Sequence, residues 1–263
     1  MTQLSLEIRS QDASIRANVS DQGQARLVYR EAYEPGDEIV LKSADVNVYL
    51  VVQLDDAMDP ALIFMTGHEY RFLIPFDEKK KSYSPKSFSG ELHVLTVREA
   101  TAEEIHAYKN VALNPYDQHV NETCFPHADA NVETRGESVF AARNAINGKG
   151  VNFSHGKWPF ESWGINQQKD AELTLNFGRP VEIDKVAITI RADFPHDNYW
   201  ERVTLTFSDG SRHTAELKKT HLKQFIALEP RTVKWMTFHE LIPSDDPSPF
   251  PALSQIEVYG REA

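Results

Sequence analysis

Apolar residues recur at every second position through much of this chain. LSLEIR alternates near the N-terminus, ARLVYREA follows a glycine, EPGDEIVLK sets a Pro-Gly turn before an apolar run, and VNVYLVVQL is the longest buried-strand candidate of the first half. ALIFMTG, EYRFLIPF and ELHVLTVRE repeat the pattern. A period of two sends successive side chains to opposite faces of a sheet, so these short strands, punctuated by turn residues, predict an antiparallel sandwich. TAEEIHAYKNVAL breaks the rhythm. Its Thr101 and Glu104 have the spacing of a capping box and predict one short helix.

NPYDQHVNETCFPHADANVETRG then carries prolines, small polar residues and little periodicity. Period two returns in AELTLNF, VEIDKVAITIRA, ERVTLTFSDGSRHTAEL, KQFIAL, TVKWMTFHELI and SQIEVYG, with an Asp-Gly hairpin signal inside FSDGSRH. The expectation is an all-β protein of two β-sandwich domains, residues 1–115 and 128–263, joined by a linker at 116–127. Helices do not alternate with the strands, and no Walker loop or dinucleotide fingerprint accompanies them, which argues against an α/β nucleotide-binding fold.

Composition narrows the partners. The 28 Lys and Arg against 39 Asp and Glu leave a formal charge of −11, so there is no electrostatic reason to expect nucleic acid or an anionic membrane. A single cysteine, Cys124, excludes an intrachain disulfide and any multi-cysteine metal site, and beside aromatic residues it reads as a small hydrophobe rather than a nucleophile. No apolar stretch reaches the roughly 20 residues that span a bilayer. The opening MTQLSLEIRSQDASIR lacks the apolar block of an export signal. The chain as it stands is therefore expected in the cytoplasm, and outside the cell if a signal has been removed.

The ordered set ARNAINGKG, HGKWPFESWG, DAELTLNFGRPVEIDKVAITIR, VTLTFSDGS and QIEVYG resembles a discoidin-like or galactose-binding-like jelly roll over residues 128–261. That module occurs in many carbohydrate-binding domains and in the coagulation-factor C-type domains. The resemblance implies ligand contacts on loops at one end of the sandwich, and sugar binding without turnover. It also implies a structural calcium near Ala145 to Asn152, where the usual acidic ligand is replaced by Asn147. No other cofactor is expected. The N-terminal half resembles no assigned family.

Two loops concentrate unusual side chains. HGKWPFESWG holds His155, a candidate polar contact, Trp158, whose indole beside Pro159 could cover the apolar face of a sugar, and Trp163, which is either a ligand contact or a core plug. RADFPHDNYW holds Arg191, able to grip a carboxylate or to pair internally with Asp193 or Asp197. His196 and Asp197 are adjacent and serve either a ligand or a turn, and only one of Tyr199 and Trp200 should face outward. A third, proline-rich segment ends near Phe250, which is expected to seal the end of the sandwich.

The functional expectation is recognition of a mono- or oligosaccharide, with an acidic sugar among the candidates. A polysaccharide lyase or glycoside hydrolase and a protein-interaction module are the alternatives. Arg191, His196 and Tyr199 could be cast as lyase groups, but no pair of carboxylates has a spacing that singles out an acid and a base, so no catalytic residue is assigned. The histidines are dispersed, without a ligand motif for a transition metal.

Overall fold

In the computed structural model, which describes residues 1–154, 156–192 and 197–263, alternation becomes burial. The strand Gln24–Tyr29 shows the simplest case, with Ala25, Leu27 and Tyr29 inside and the residues between them in solvent. The strands are β1 (Gln3–Arg9), β2 (Ile15–Gln22), β3 (Gln24–Tyr29), β4 (Glu38–Ser43), β5 (Val48–Gln53), β6 (Ala61–Met65), β7 (Glu69–Leu73) and β8 (His93–Glu99). They form two antiparallel sheets, ordered β2-β1-β4-β7 and β10-β6-β5-β8-β3, where β10 is a late addition at Cys124–Phe125. Leu4, Leu6, Ile39, Leu50, Ile63 and Phe72 are among the residues buried between them.

A short helix α1 (Asp77–Lys80) precedes β8, and α2 (Ala102–His106) follows it. The capping box is present at α2: Thr101 Oγ1 accepts from Glu104 N–H at 3.3 Å, and Glu104 Oε2 accepts from Thr101 N–H at 2.9 Å.

The second sandwich comprises β9 (Lys109–Asn110), β11 (His127–Ala130), β12 (Trp163–Gly164), β13 (Leu173–Ile190), β14 (Trp200–Phe207), β15 (Arg212–Glu216), β16 (Gln224–Pro243) and β17 (Ala252–Glu262). Its path is β12-β17-β13-β16-β14-β15, with β11 beside β13 and β9 beside β17. The sequence suggests separate strands where β13 and β16 run through. β13 pairs with β11 through Leu173–Asn176 and with β17 beyond Val181, its register shifting across Gly178. A bulge of this kind bends a strand, so one strand serves both layers. The Asp-Gly hairpin joins β14 to β15, with Gly210 at φ 82° and Asp209 Oδ1 accepting from Ser211 N–H.

Residues 116–127, expected to be a linker, pack into the first core between segments held in the second. Val111 and Ala112 lie in the second core, Tyr116 and Cys124 in the first, and Ala128 in the second again. Cys124 is fully buried, and burial pushes its thiol far above the ordinary range. Arg143 ties the halves together. Its guanidinium donates to the carbonyls of Asp117 at 2.8 Å and Pro115 at 3.1 Å, and lies 4.3 Å from the centroid of the Tyr83 ring. Glu262, at the end of β17, accepts a bidentate pair from Arg179 at 2.8 Å and a hydrogen bond from Tyr49 of β5 at 2.9 Å.

Asp117 is completely buried and accepts from His127 Nδ1 at 2.7 Å, Asn121 Nδ2 at 2.8 Å and Ala128 N–H at 2.8 Å. Burial pulls the His127 pKa down, but the hydrogen bond and charge of Asp117, with Asp129 behind it, raise it overall despite opposition from His119. A folded pKa above the unfolded value means that stability from this pair is fully present below about pH 6.5. It is lost as pH rises through the raised folded pKa. Urea unfolding of wild type and His127→Gln across pH 5.5 to 8.5 should therefore show the gap between them narrowing toward alkaline pH; a gap that widens would show the pair to be misassigned.

Candidate functional site

The loops at one end of the second sandwich enclose a cleft of about 280 Å³. Its floor is an ion pair. Arg191 leaves the end of β13 with its N–H held by the Ala252 carbonyl at 2.9 Å, so the side chain is fixed by the β13–β17 pairing. Its Nε lies 3.3 Å from Asp197 Oδ2 and its Nη1 donates to the Phe160 carbonyl at 3.2 Å. Both residues are buried, at 5% and 3% exposure. Two charges this far from water are tolerated because each offsets the other and the guanidinium is further hydrogen-bonded.

The walls are apolar and the rim is polar. Phe250 stands 55% exposed, so it forms a wall rather than the expected seal, because the proline-rich segment carries it away from the core. Phe140, half-buried, faces the cleft from the turn before the 3-10 helix Ala142–Ile146. Asn166 and Gln167 expose their side chains at the rim, both with positive φ (49° and 61°).

A second hollow of about 420 Å³ shares Arg135, Phe140 and Arg191 with the first and continues onto Glu78 and Lys81 of the N-terminal half. Arg135 is exposed, lies 5.5 Å from the Phe140 ring centroid and makes a bidentate pair with Glu137 at 2.6 and 2.9 Å. That hydrogen bond holds the Glu137 carboxyl below its ordinary value. The two halves are in register here through Ser138, whose N–H and hydroxyl donate to Glu78 Oε1 and to the Glu78 carbonyl at 2.9 and 2.8 Å.

The described residues singled out from the sequence separate into three groups. Arg191 and Asp197 meet at the cleft floor, so the internal partner that was one of the two readings of Arg191 is present and offsets its charge. Trp163 and Trp200 have no exposed surface: their rings pack 6.4 Å apart, each edge-on to Phe238, and the Trp163 indole donates to the Val132 carbonyl at 2.9 Å. They are core residues beneath the loops, because each begins a strand with its ring on the inward face. Tyr199 is partly buried against the same core. Trp158 is half-buried and lines a narrow crevice of about 30 Å³ with Tyr83, Arg143 and Glu161, between the two halves, which shares no lining residue with the Arg191 cleft. Burial raises the Glu161 pKa there. His155, Asp193 and His196 lie outside the described residues.

No spacing in the chain ties Thr134–Phe140, Asn166–Gln167 and Phe250 together; they meet only through the fold. The polar pair after Ile165, in GINQQ, is the one local sign of an exposed rim. Among the described residues no three His, Cys, Asp or Glu side chains are grouped to hold a metal, and no helix is long and apolar enough to cross a membrane.

No protein-family model matches the chain, and a search of curated proteins finds no match. Solved structures similar to it include chitosan-binding module 1 from a chitosanase/glucanase of Paenibacillus sp. IK-5, at 19% identity over 57% of this chain and 98% of that one, TM-score 0.38. A family 32 carbohydrate-binding module of C. perfringens, solved with galactose, is 18% identical over 50% of this chain and 91% of that one, TM-score 0.37. A fucose-binding module of Streptococcus pneumoniae is 15% identical over 58% of this chain and 98% of that one, TM-score 0.40.

Proposed function

We propose that this is a carbohydrate-binding protein that takes a glycan chain at the loop end of its C-terminal sandwich, without cleaving it. The observation that carries the reading is the cleft that Phe250 and Phe140 line together with the Arg191–Asp197 pair. A pyranose has an apolar C–H face and a rim of hydroxyls, and an exposed ring beside fixed donors and acceptors answers both. The volume of about 280 Å³ suits one sugar unit, and the adjoining hollow of about 420 Å³ suits the units that follow.

Because Asp197 offsets Arg191, the floor favours neutral hydroxyls over a carboxylate. An acidic sugar in the chain is instead met by Arg135, whose exposed pairing with Glu137 is weak enough to exchange for a ligand carboxylate. Lys81 adds a second exposed cation to that hollow.

A glycan array spanning neutral and uronic-acid oligosaccharides tests the class, followed by calorimetry on the best ligand. Phe250→Ala should lose roughly fivefold in affinity, in line with an aromatic contact of about 1 kcal/mol. Arg135→Ala should weaken acidic chains more than neutral ones. Binding of no glycan, with tight capture of a polypeptide, would replace this reading by a protein-interaction module. Cleavage products after long incubation of wild type with its ligand would replace it by an enzyme.

A further inference from the structure

The jelly-roll resemblance implies a calcium ion near Ala145–Asn152, and the point on which oxygens converge there is held by one of the chain's own side chains. Gln255, on β17 and 3% exposed, directs its amide nitrogen at three oxygens: the Asn144 carbonyl at 2.6 Å, the Ser254 carbonyl at 2.6 Å and Asn147 Oδ1 at 2.8 Å. The orientation of the amide follows from Gly148, whose backbone N–H donates to Gln255 Oε1 at 2.9 Å. The loop wraps this side chain closely. Gly148 sits at φ 81°, and a Cβ on Gly150 would come within 3.3 Å of Gln255 Cγ.

Several oxygens aimed at one point is what a hard cation gathers around itself, but these do not make a calcium site. Two are main-chain carbonyls and the third belongs to a neutral amide that already accepts the Lys149 N–H at 2.7 Å. None carries the formal negative charge that compensates a divalent ion for its lost water. Glu161, the nearest carboxylate in this network, has Oε1 3.4 Å from Asn147 Nδ2 and Oε2 accepting from Phe160 N–H at 3.0 Å. To admit an ion, Gln255 would have to turn its amide over, giving up the Gly148 bond and presenting an oxygen where its N–H groups now satisfy the ring. A side-chain amide brings partial positive charge on two hydrogens, enough for carbonyl acceptors and far cheaper to bury than a bare ion.

We infer that the Gln255 amide takes the place of a divalent cation as the cross-link between Ala142–Ile146, the Asn147–Gly150 loop and β17, so that this sandwich is stable without calcium. The inference concerns stability alone and stands whether or not the protein binds glycans.

Thermal unfolding of the full chain in chelator and in millimolar calcium tests it directly, and the two curves should superimpose. Gln255→Glu places a carboxylate in the ring of oxygens; in chelator its midpoint should fall by about 4 °C or more, and calcium should restore it along a saturating curve. Gln255→Ala, compared with wild type in chelator, should also melt earlier, since buried carbonyls lose their donor. The inference is overturned by a saturable calcium-induced rise in the wild-type midpoint. A folded Gln255→Glu protein indifferent to calcium, or a Gln255→Ala protein as stable as wild type, would overturn it equally. If Gln255→Glu does not fold, the wild-type and alanine curves decide.

Discussion

Gly260→Ala is expected to destabilise the protein by about 3 kcal/mol or more, the largest effect of any single methyl addition in the C-terminal sandwich. A Cβ at Gly260 would lie 2.0 Å from the Glu182 carbonyl oxygen and 2.9 Å from the Glu182 carbonyl carbon and the Ile183 Cα. All three atoms are backbone, in the segment of β13 that pairs with β17 (Ile183 opposite Gly260), so no side chain can rotate away. The strands would have to part next to the bulge between Ile183 and Lys185, where β13 already departs from regular pairing. Gly210→Ala is the comparison: a Cβ there meets nothing within 4 Å, and the change carries only the strain of φ 82°, about 1 kcal/mol. Urea unfolding of both variants should separate them clearly. Equal losses would mean that β17 can move off β13 at little cost.

Arg143→Ala should cost about 3 kcal/mol and also change the shape of the transition. Arg143 is 7% exposed, and its guanidinium donates to Asp117 O, Pro115 O and Asn144 Oδ1 while resting on Tyr83. Truncation leaves buried carbonyls without a donor and removes the cation from the ring face. Since Tyr83 belongs to the first core and Arg143 to the second half, the loss falls on the junction. The single urea transition of the wild type should uncouple in the variant, tryptophan fluorescence no longer coinciding with far-UV circular dichroism, because all four tryptophans lie in the second half, beyond residue 150, and report that half alone. Arg143→Lys should recover little, as an ammonium cannot span three acceptors in one plane. A variant that melts as one sharp transition at the wild-type midpoint would remove Arg143 from this role.

Local chemistry was readable where the deciding partners are neighbours in sequence. The capping box at Thr101 and Glu104 and the Asp209-Gly210 hairpin depend on residues a few positions apart. Alternation in ARLVY marks its buried face without further information. Where partners are remote, the pattern was mute. Trp158 and Trp163 stand five residues apart beside loops, yet Trp158 is half-buried in a crevice with Tyr83 and Arg143 while Trp163, on β12, packs edge-on to Phe238 in the core. Residues 116–127 look polar and irregular because ladder pairing is confined to Cys124–Phe125 and His127, while the N–H groups of Tyr116 and Cys124 go to the side chains of Asn114 and Asn121. Composition alone cannot distinguish such a segment from a solvated tether. Gln255 reads as an ordinary strand residue until the register of β17 brings it against Asn144 and Asn147.

The double passage of residues 109–130 between the two cores leaves no slack in the connection. Lys109–Asn110 are pinned to β17, Cys124–Phe125 to β6 and His127–Ala130 to β13. Hinge motion, the default for two sandwiches on a flexible tether, is thereby suppressed. A groove that runs from the Arg191 cleft across to Lys81 keeps a fixed width before anything enters it. A ligand spanning both halves would then forfeit little affinity to ordering them, and its association rate should be set by encounter rather than by closure.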